Sequence, residues 1–149
     1  MLNLNEVLTS VQTTLNDDST LCGLLLSSGK DRVYIGPDFP QEISERFISL
    51  AMLSNIQDID ETELEFSTLS VAVGVKTSFD SDRDLEIVYQ IATQVNTLLH
   101  NKPTAVTLTN DLISHLTREG SLPPDIDKIG EDDFLIAQER FELLTTTKG

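Results

Sequence analysis

Tryptophan is missing from this 149-residue chain, cysteine occurs once and histidine twice, and only 10 Lys and Arg stand against 25 Asp and Glu. Each shortage removes a class of protein. The lone thiol, Cys22, closes no intrachain disulfide and builds no multi-cysteine zinc site. Neither His100 nor His115 has a second His or Cys at ligand spacing, so neither is expected to bind zinc or act in catalysis. A formal charge of −15 works against a sequence-independent grip on nucleic acid, which needs Lys and Arg to displace counterions. It works equally against an anionic membrane surface. The apolar runs fall far short of the roughly 20 residues that span a bilayer. The opening stretch MLNLNEVL carries no basic segment and no small-residue cleavage site, so no secretory signal is expected. These features predict a soluble protein of a reducing compartment.

What is present is a patterned chain of one-domain length, residues 1–149, with 39% hydrophobic residues. Leu4, Val7, Leu8, Val11 and Leu15 predict a helix over 3–16, ended by Asn16, Asp17 and Asp18. Ser19 is the expected cap of a short second helix carrying Leu21, Cys22 and Leu24–Leu26. A short strand is expected at 32–35, closed by Gly36-Pro37. Residues 41–53 suit either a helix throughout, or a helix or turn to about Glu45 followed by a strand; the second reading is favoured. Residues 54–63 read as a solvated acidic loop.

Residues 64–79 form the clearest strand pattern, and the change of apolar parity along it predicts a bulge near Ser67–Thr68. Leu85, Val88, Ile91, Ala92, Val95, Leu98 and Leu99 then lie on one stripe of a helix ending near His100, before Pro103. A short strand is expected at 105–109, a helix at 110–116 ended by Gly120, a long loop over 121–133, and a closing strand over 134–144. Residues 145–149 read as a flexible polar tail. The order predicts an α+β fold: an antiparallel or mixed sheet of about four to five strands with helices packed on one face.

Several motifs fail on inspection. Gly23 to Gly29-Lys30 has one residue too many for a phosphate-binding loop, and Asp31 stands where Ser or Thr would hold Mg²⁺. Asp80-x-Asp82-x-Asp84 begins like a calcium loop, but Leu85 and Ile91 occupy the required Gly and Glu places. Asp125-x-Asp127 with Gly130 fails too, because Ile129 and Ile136 occupy ligand places. Acids at a helix start have a plainer use, capping free N–H groups and meeting the positive end of the helix dipole. Cys22 among leucines reads as a small buried hydrophobe without a neighbouring base. No catalytic residue, cofactor or metal is expected, and an enzyme is the minority reading.

The order of cues is informative where single motifs are not. A helix ends in Asp18-Ser-Thr-Leu21 running on to Leu26; Arg32-Val33-Tyr34-Ile35-Gly36-Pro37 follows; Leu69–Val75 leads through Asp80–Asp84 into the amphipathic stretch Leu85–Leu99; a mixed apolar and charged strand closes the chain. This layout resembles the tail terminator, or tail completion, proteins of tailed bacteriophages, which join head to tail. The resemblance implies a non-catalytic virion protein of the tail or neck, assembled in the host cytoplasm. Its copies would form a ring, typically a hexamer, that caps the tail tube and meets the head or neck connector protein, with DNA passing through the lumen without specific binding. Expected contact residues are the acidic loop Asp58, Asp60, Glu61 and Glu63, the helix start Asp80, Asp82, Arg83 and Asp84, the final strand, and Arg83 and Arg140 as ion-pair donors to a neighbour. The alternatives are another head–tail connector or tail component, and a small acidic cytosolic adaptor or chaperone domain for a basic partner.

Overall fold

The computed structural model describes residues 3–26, 32–36, 45–57, 64–78 and 81–147. The helices are α1 (Leu4–Asn16), α2 (Ser19–Leu24) and α3 (Ser81–Leu99), and the strands are β1 (Val33–Ile35), β2 (Arg46–Gln57), β3 (Leu64–Lys76), β4 (Asp111–Ile129) and β5 (Asp132–Thr147). The strands form one five-stranded mixed sheet in the order β1-β2-β3-β5-β4, parallel between β1 and β2 and antiparallel elsewhere. The fold is α+β. No helix among the described residues is long and apolar enough to cross a membrane.

The core lies on the helix side of the sheet. Val7, Val11 and Leu15 of α1 and Val88, Ile91, Val95 and Leu99 of α3 are fully buried. They pack in one cluster with Ile48 and Leu50 of β2, Leu69, Val71 and Val73 of β3, and Phe141 and Leu143 of β5. Period 3.6 on the helices and period 2 on the strands bring these faces together. Local caps fix where the helices begin. The Asn3 side chain accepts from the Glu6 N–H at 3.2 Å. Asp18, not the expected Ser19, caps α2, accepting from the Leu21 N–H at 2.8 Å.

The helices and strands expected over the first 100 residues are present among the described residues, with β3 ending at Lys76 short of the expected 79; the helix or turn expected over 41–44 and the loop expected over 58–63 lie outside the described residues. Ser54–Gln57, assigned to a loop, continues β2. The irregularity expected in β3 at Ser67–Thr68 is carried by the strand opposite: Met52 pairs with Leu69 and Ser54 with Thr68, leaving Leu53 as the extra residue. Ser67, Leu69 and Val71 therefore keep a single parity on the core face.

Between α3 and β5 the structure differs more. The strand expected at 105–109 does not form, because α1 has taken its backbone partners. Glu6 accepts from the Thr109 N–H, Ser10 Oγ accepts from the Thr107 N–H at 2.8 Å, and Thr14 Oγ1 donates to the Ala105 carbonyl at 2.5 Å. Four residues of helix rise about 6 Å and two residues of extended chain about 6.6 Å, so the side chains match the backbone groups in step. The helix expected at 110–116 and the loop expected over 121–133 are both strand β4. Pro123-Pro124 falls where the register shifts between Leu122 and Asp125, on an edge strand, where a missing N–H costs no ladder bond. β5 also runs past the expected strand end, and Thr145 is buried within it. Residues 148–149 lie outside the described residues.

The other face of the sheet carries none of the described helices and mixes small residues (Ser49, Ala51, Ser70, Ala72, Gly74) with large ones (Phe66, Ile136, Gln138, Arg140, Leu144). At one end lies an aromatic cluster, where Phe47 meets Phe134 edge-on at 5.5 Å and Tyr34 at 6.5 Å. Gly74 lies opposite Phe47 in the β2–β3 ladder, and a Cβ there would sit 2.3 Å from the buried Phe47 ring. Phe134 holds that ring in place, so it has nowhere to go. Gly74→Ala is therefore expected to destabilise the fold by about 1–3 kcal/mol, read as a lower urea midpoint with unchanged slope.

Candidate functional site

The chemistry-bearing side chains are used to hold the chain together. Cys22 Sγ is half-buried and donates to the Asn16 carbonyl at 3.2 Å. His100 Nδ1 accepts from the Arg118 N–H at 2.9 Å and so ties the end of α3 to β4. Arg118 Nε donates to the buried Glu139 carboxylate at 2.8 Å, and its Nη2 donates to Ser121 Oγ at 3.0 Å. Among the described residues no group of three or more His, Cys, Asp or Glu is placed to hold a metal ion.

The sequence-predicted contact residues fall into separate places. Asp58, Asp60, Glu61, Glu63 and Asp80 lie outside the described residues. Asp82 and Arg83 are exposed on the first turn of α3. Asp84 is buried, and its carboxylate accepts from the Ser78 N–H and hydroxyl, both at 2.8 Å, anchoring the chain as it enters α3. Arg140 lies across the sheet in β5, opposite Ser70 of β3 and Gly120 of β4. The structure thus gathers the α3 residues and leaves Arg140 apart from them.

The surface that sequence reasoning missed is β4. It is 19 residues long and only one of them, Leu116, is buried. Leu112, Leu122 and Ile126 are 53%, 45% and 63% exposed. Such a strand gains almost nothing from its own core and is held by its backbone ladder to β5. One signal was legible: Gly130-Glu131 forms a two-residue turn between the paired Ile129 and Asp132, with Gly130 at φ +65°.

One shallow groove borders this region and another lies against the helices. Ala72 and Ile136 floor one of ≈ 400 Å³ on the open face, with Leu122 and Ile126 on its rim. On the helix side, Leu24, Leu85 and the half-exposed Tyr89 line a groove of ≈ 710 Å³ with Asp82 and Glu86 at its edge. The arrangement suits contact with other macromolecules rather than enclosure of a small substrate.

No protein-family model matches the sequence, and no curated protein matches it. Among solved structures, the chain is similar to one described as "Virion of native gene transfer agent (GTA) particle". The likeness covers 100% of both chains at a TM-score of 0.67 and 15% sequence identity. At that identity the likeness establishes the fold.

The Arg118–Glu139 pair gives a test of what holds β4. Arg118→Met leaves the Glu139 carboxylate buried without its partner, at an expected cost of about 2 kcal/mol in thermal or urea unfolding. Adding Glu139→Met should recover part of that loss.

Proposed function

We propose that this protein is a non-catalytic structural component of a virion, and that its copies form a ring, typically a hexamer, capping a tail tube and joining it to the head or neck connector. The observation that carries this reading is the full-length fold likeness to a chain of an assembled gene transfer agent virion. The long strand β4, which buries a single side chain, supports it by offering surface for which the isolated chain has no use. The charge of −15 is compatible with a lumen through which DNA moves without being held. A closed ring requires two different, complementary patches on each copy.

A second reading is an adaptor for a basic partner, favoured by the acid-edged apolar groove between α2 and α3. The two separate by size. Light scattering and negative-stain imaging of the purified protein should show ring particles, alone or on the ends of tail tubes. A protein that stays monomeric and fails to bind tube ends would remove the ring reading in favour of the adaptor.

The exposed apolar residues of β4 refine the test. Leu122→Ser with Ile126→Ser should leave unfolding stability within about 0.5 kcal/mol, because neither side chain is in the core. The same double variant should lose ring particles in the microscope.

A further inference from the structure

Arg140 stands out on the open face of the sheet. Its row runs from Ala51 through Ser70 to Gly120, so its cross-strand neighbours are small. A Cβ added at Gly120 would meet nothing within 4 Å, which leaves space beside the arginine. Ser70 is already engaged, accepting from Gln138 Nε2 at 2.6 Å. The Arg140 Nε is shielded from solvent and has no hydrogen-bond partner among the described residues. Neither the Lys76–Asp132 nor the Arg118–Glu139 ion pair includes it. Glu142, two residues along on the same face, is exposed and forms no ion pair with it. A guanidinium whose Nε is desolvated and unpaired is an unfavourable arrangement for an isolated chain.

The surroundings show what would satisfy it. The groove of ≈ 400 Å³ at Ala72, Leu122, Ile136 and Gln138 lies on one side of Arg140, and one of ≈ 280 Å³ at His115, Thr117, Glu142 and Leu144 on the other. An arginine between two shallow grooves presents a planar fork suited to a carboxylate, with room for the flanking side chains of whatever carries it. Acid is what this chain has in excess, 25 Asp and Glu against 10 Lys and Arg. A second copy therefore brings the complementary charge, while its contacting patch differs from the open face it meets. That makes the contact heterologous, the kind that closes a ring.

We propose that the open face of the sheet, centred on Arg140, docks an acidic surface of a second copy of this chain, whose carboxylate pairs with the Arg140 guanidinium. This rests on the reading that copies assemble, and it names the residue on which the contact turns.

The experiment compares wild type with Arg140→Met, which keeps an apolar stem and removes the charge, by sedimentation velocity over a concentration series with thermal unfolding alongside. Arg140→Gln, a polar variant without the charge, is measured in parallel. Arg140→Met should associate roughly 30-fold more weakly. At concentrations where both proteins are monomeric, its unfolding temperature should equal or exceed that of wild type, since an unpaired, desolvated Nε has been removed. Wild-type-like association in the variant overturns the proposal. A lower unfolding temperature in that monomeric regime also overturns it, because Arg140 would then serve the fold itself. A wild type that binds tube ends yet shows no contact between copies removes this proposal and leaves the virion reading standing.

Discussion

The pairing of β3 with β5 is the constraint on which the rest of this structure depends. These strands lie side by side without a register break from Leu64↔Thr146 to Lys76↔Phe134. They are far apart in sequence, so α3 and β4 must be accommodated in the connection between them. With this ladder set, the odd residues of both strands face the helices and the even residues face away. A shift of one residue would turn Leu69, Val71, Val73, Phe141 and Leu143 out of the core together. β2 adds on one side and absorbs its mismatch at Leu53, while β4 adds on the other and absorbs its own mismatches in several places. The central pair is regular and its neighbours bend to fit.

The α+β class, α1, α3, β3 and the body of β5 were legible because each is long or strongly periodic and buries one face. Val88, Ile91, Val95 and Leu99 mark a helix in any context. β4 was not legible, for the complementary reason. Its side chains bury almost nothing, so no apolar alternation is imposed on it, and Leu112, Ile113 and Leu116 fit helical spacing equally well. Its conformation is set by the hydrogen-bonding edge of β5, which is a tertiary fact. Residues 105–109 misled in the opposite sense: Val106 and Leu108 alternate like a strand and are buried like one, but their backbone is paired with Glu6, Ser10 and Thr14 of α1. Alternation reports an extended chain with one buried face; it does not report what the backbone is bonded to.

The candidate surface divides in the same way. Arg140 could be singled out from sequence as a cation in a mixed strand, but its small neighbours and buried, unpartnered Nε come only from the register. Asp82, Arg83 and Asp84 read alike as a charged helix start, yet burial separates them: Asp84 is buried against Ser78, while Asp82 and Arg83 are exposed. The acidic residues of this chain therefore include structural members that composition alone counts as surface charge.

The irregular edge of the sheet also bears on how association would end. A straight, unpaired strand invites the edge of another copy, and each such pairing leaves a fresh edge at the far end, so growth never stops. β4 breaks register between Ile113 and His115, between Arg118 and Gly120, and between Leu122 and Asp125, the last break spanning two prolines. A second backbone cannot follow those offsets, which leaves side chains as the means by which β4 meets a neighbour. Contacts of that kind have fixed geometry and a finite number of places. The kinks in β4 thus guard against runaway fibres while leaving its exposed side chains available for an assembly of limited size.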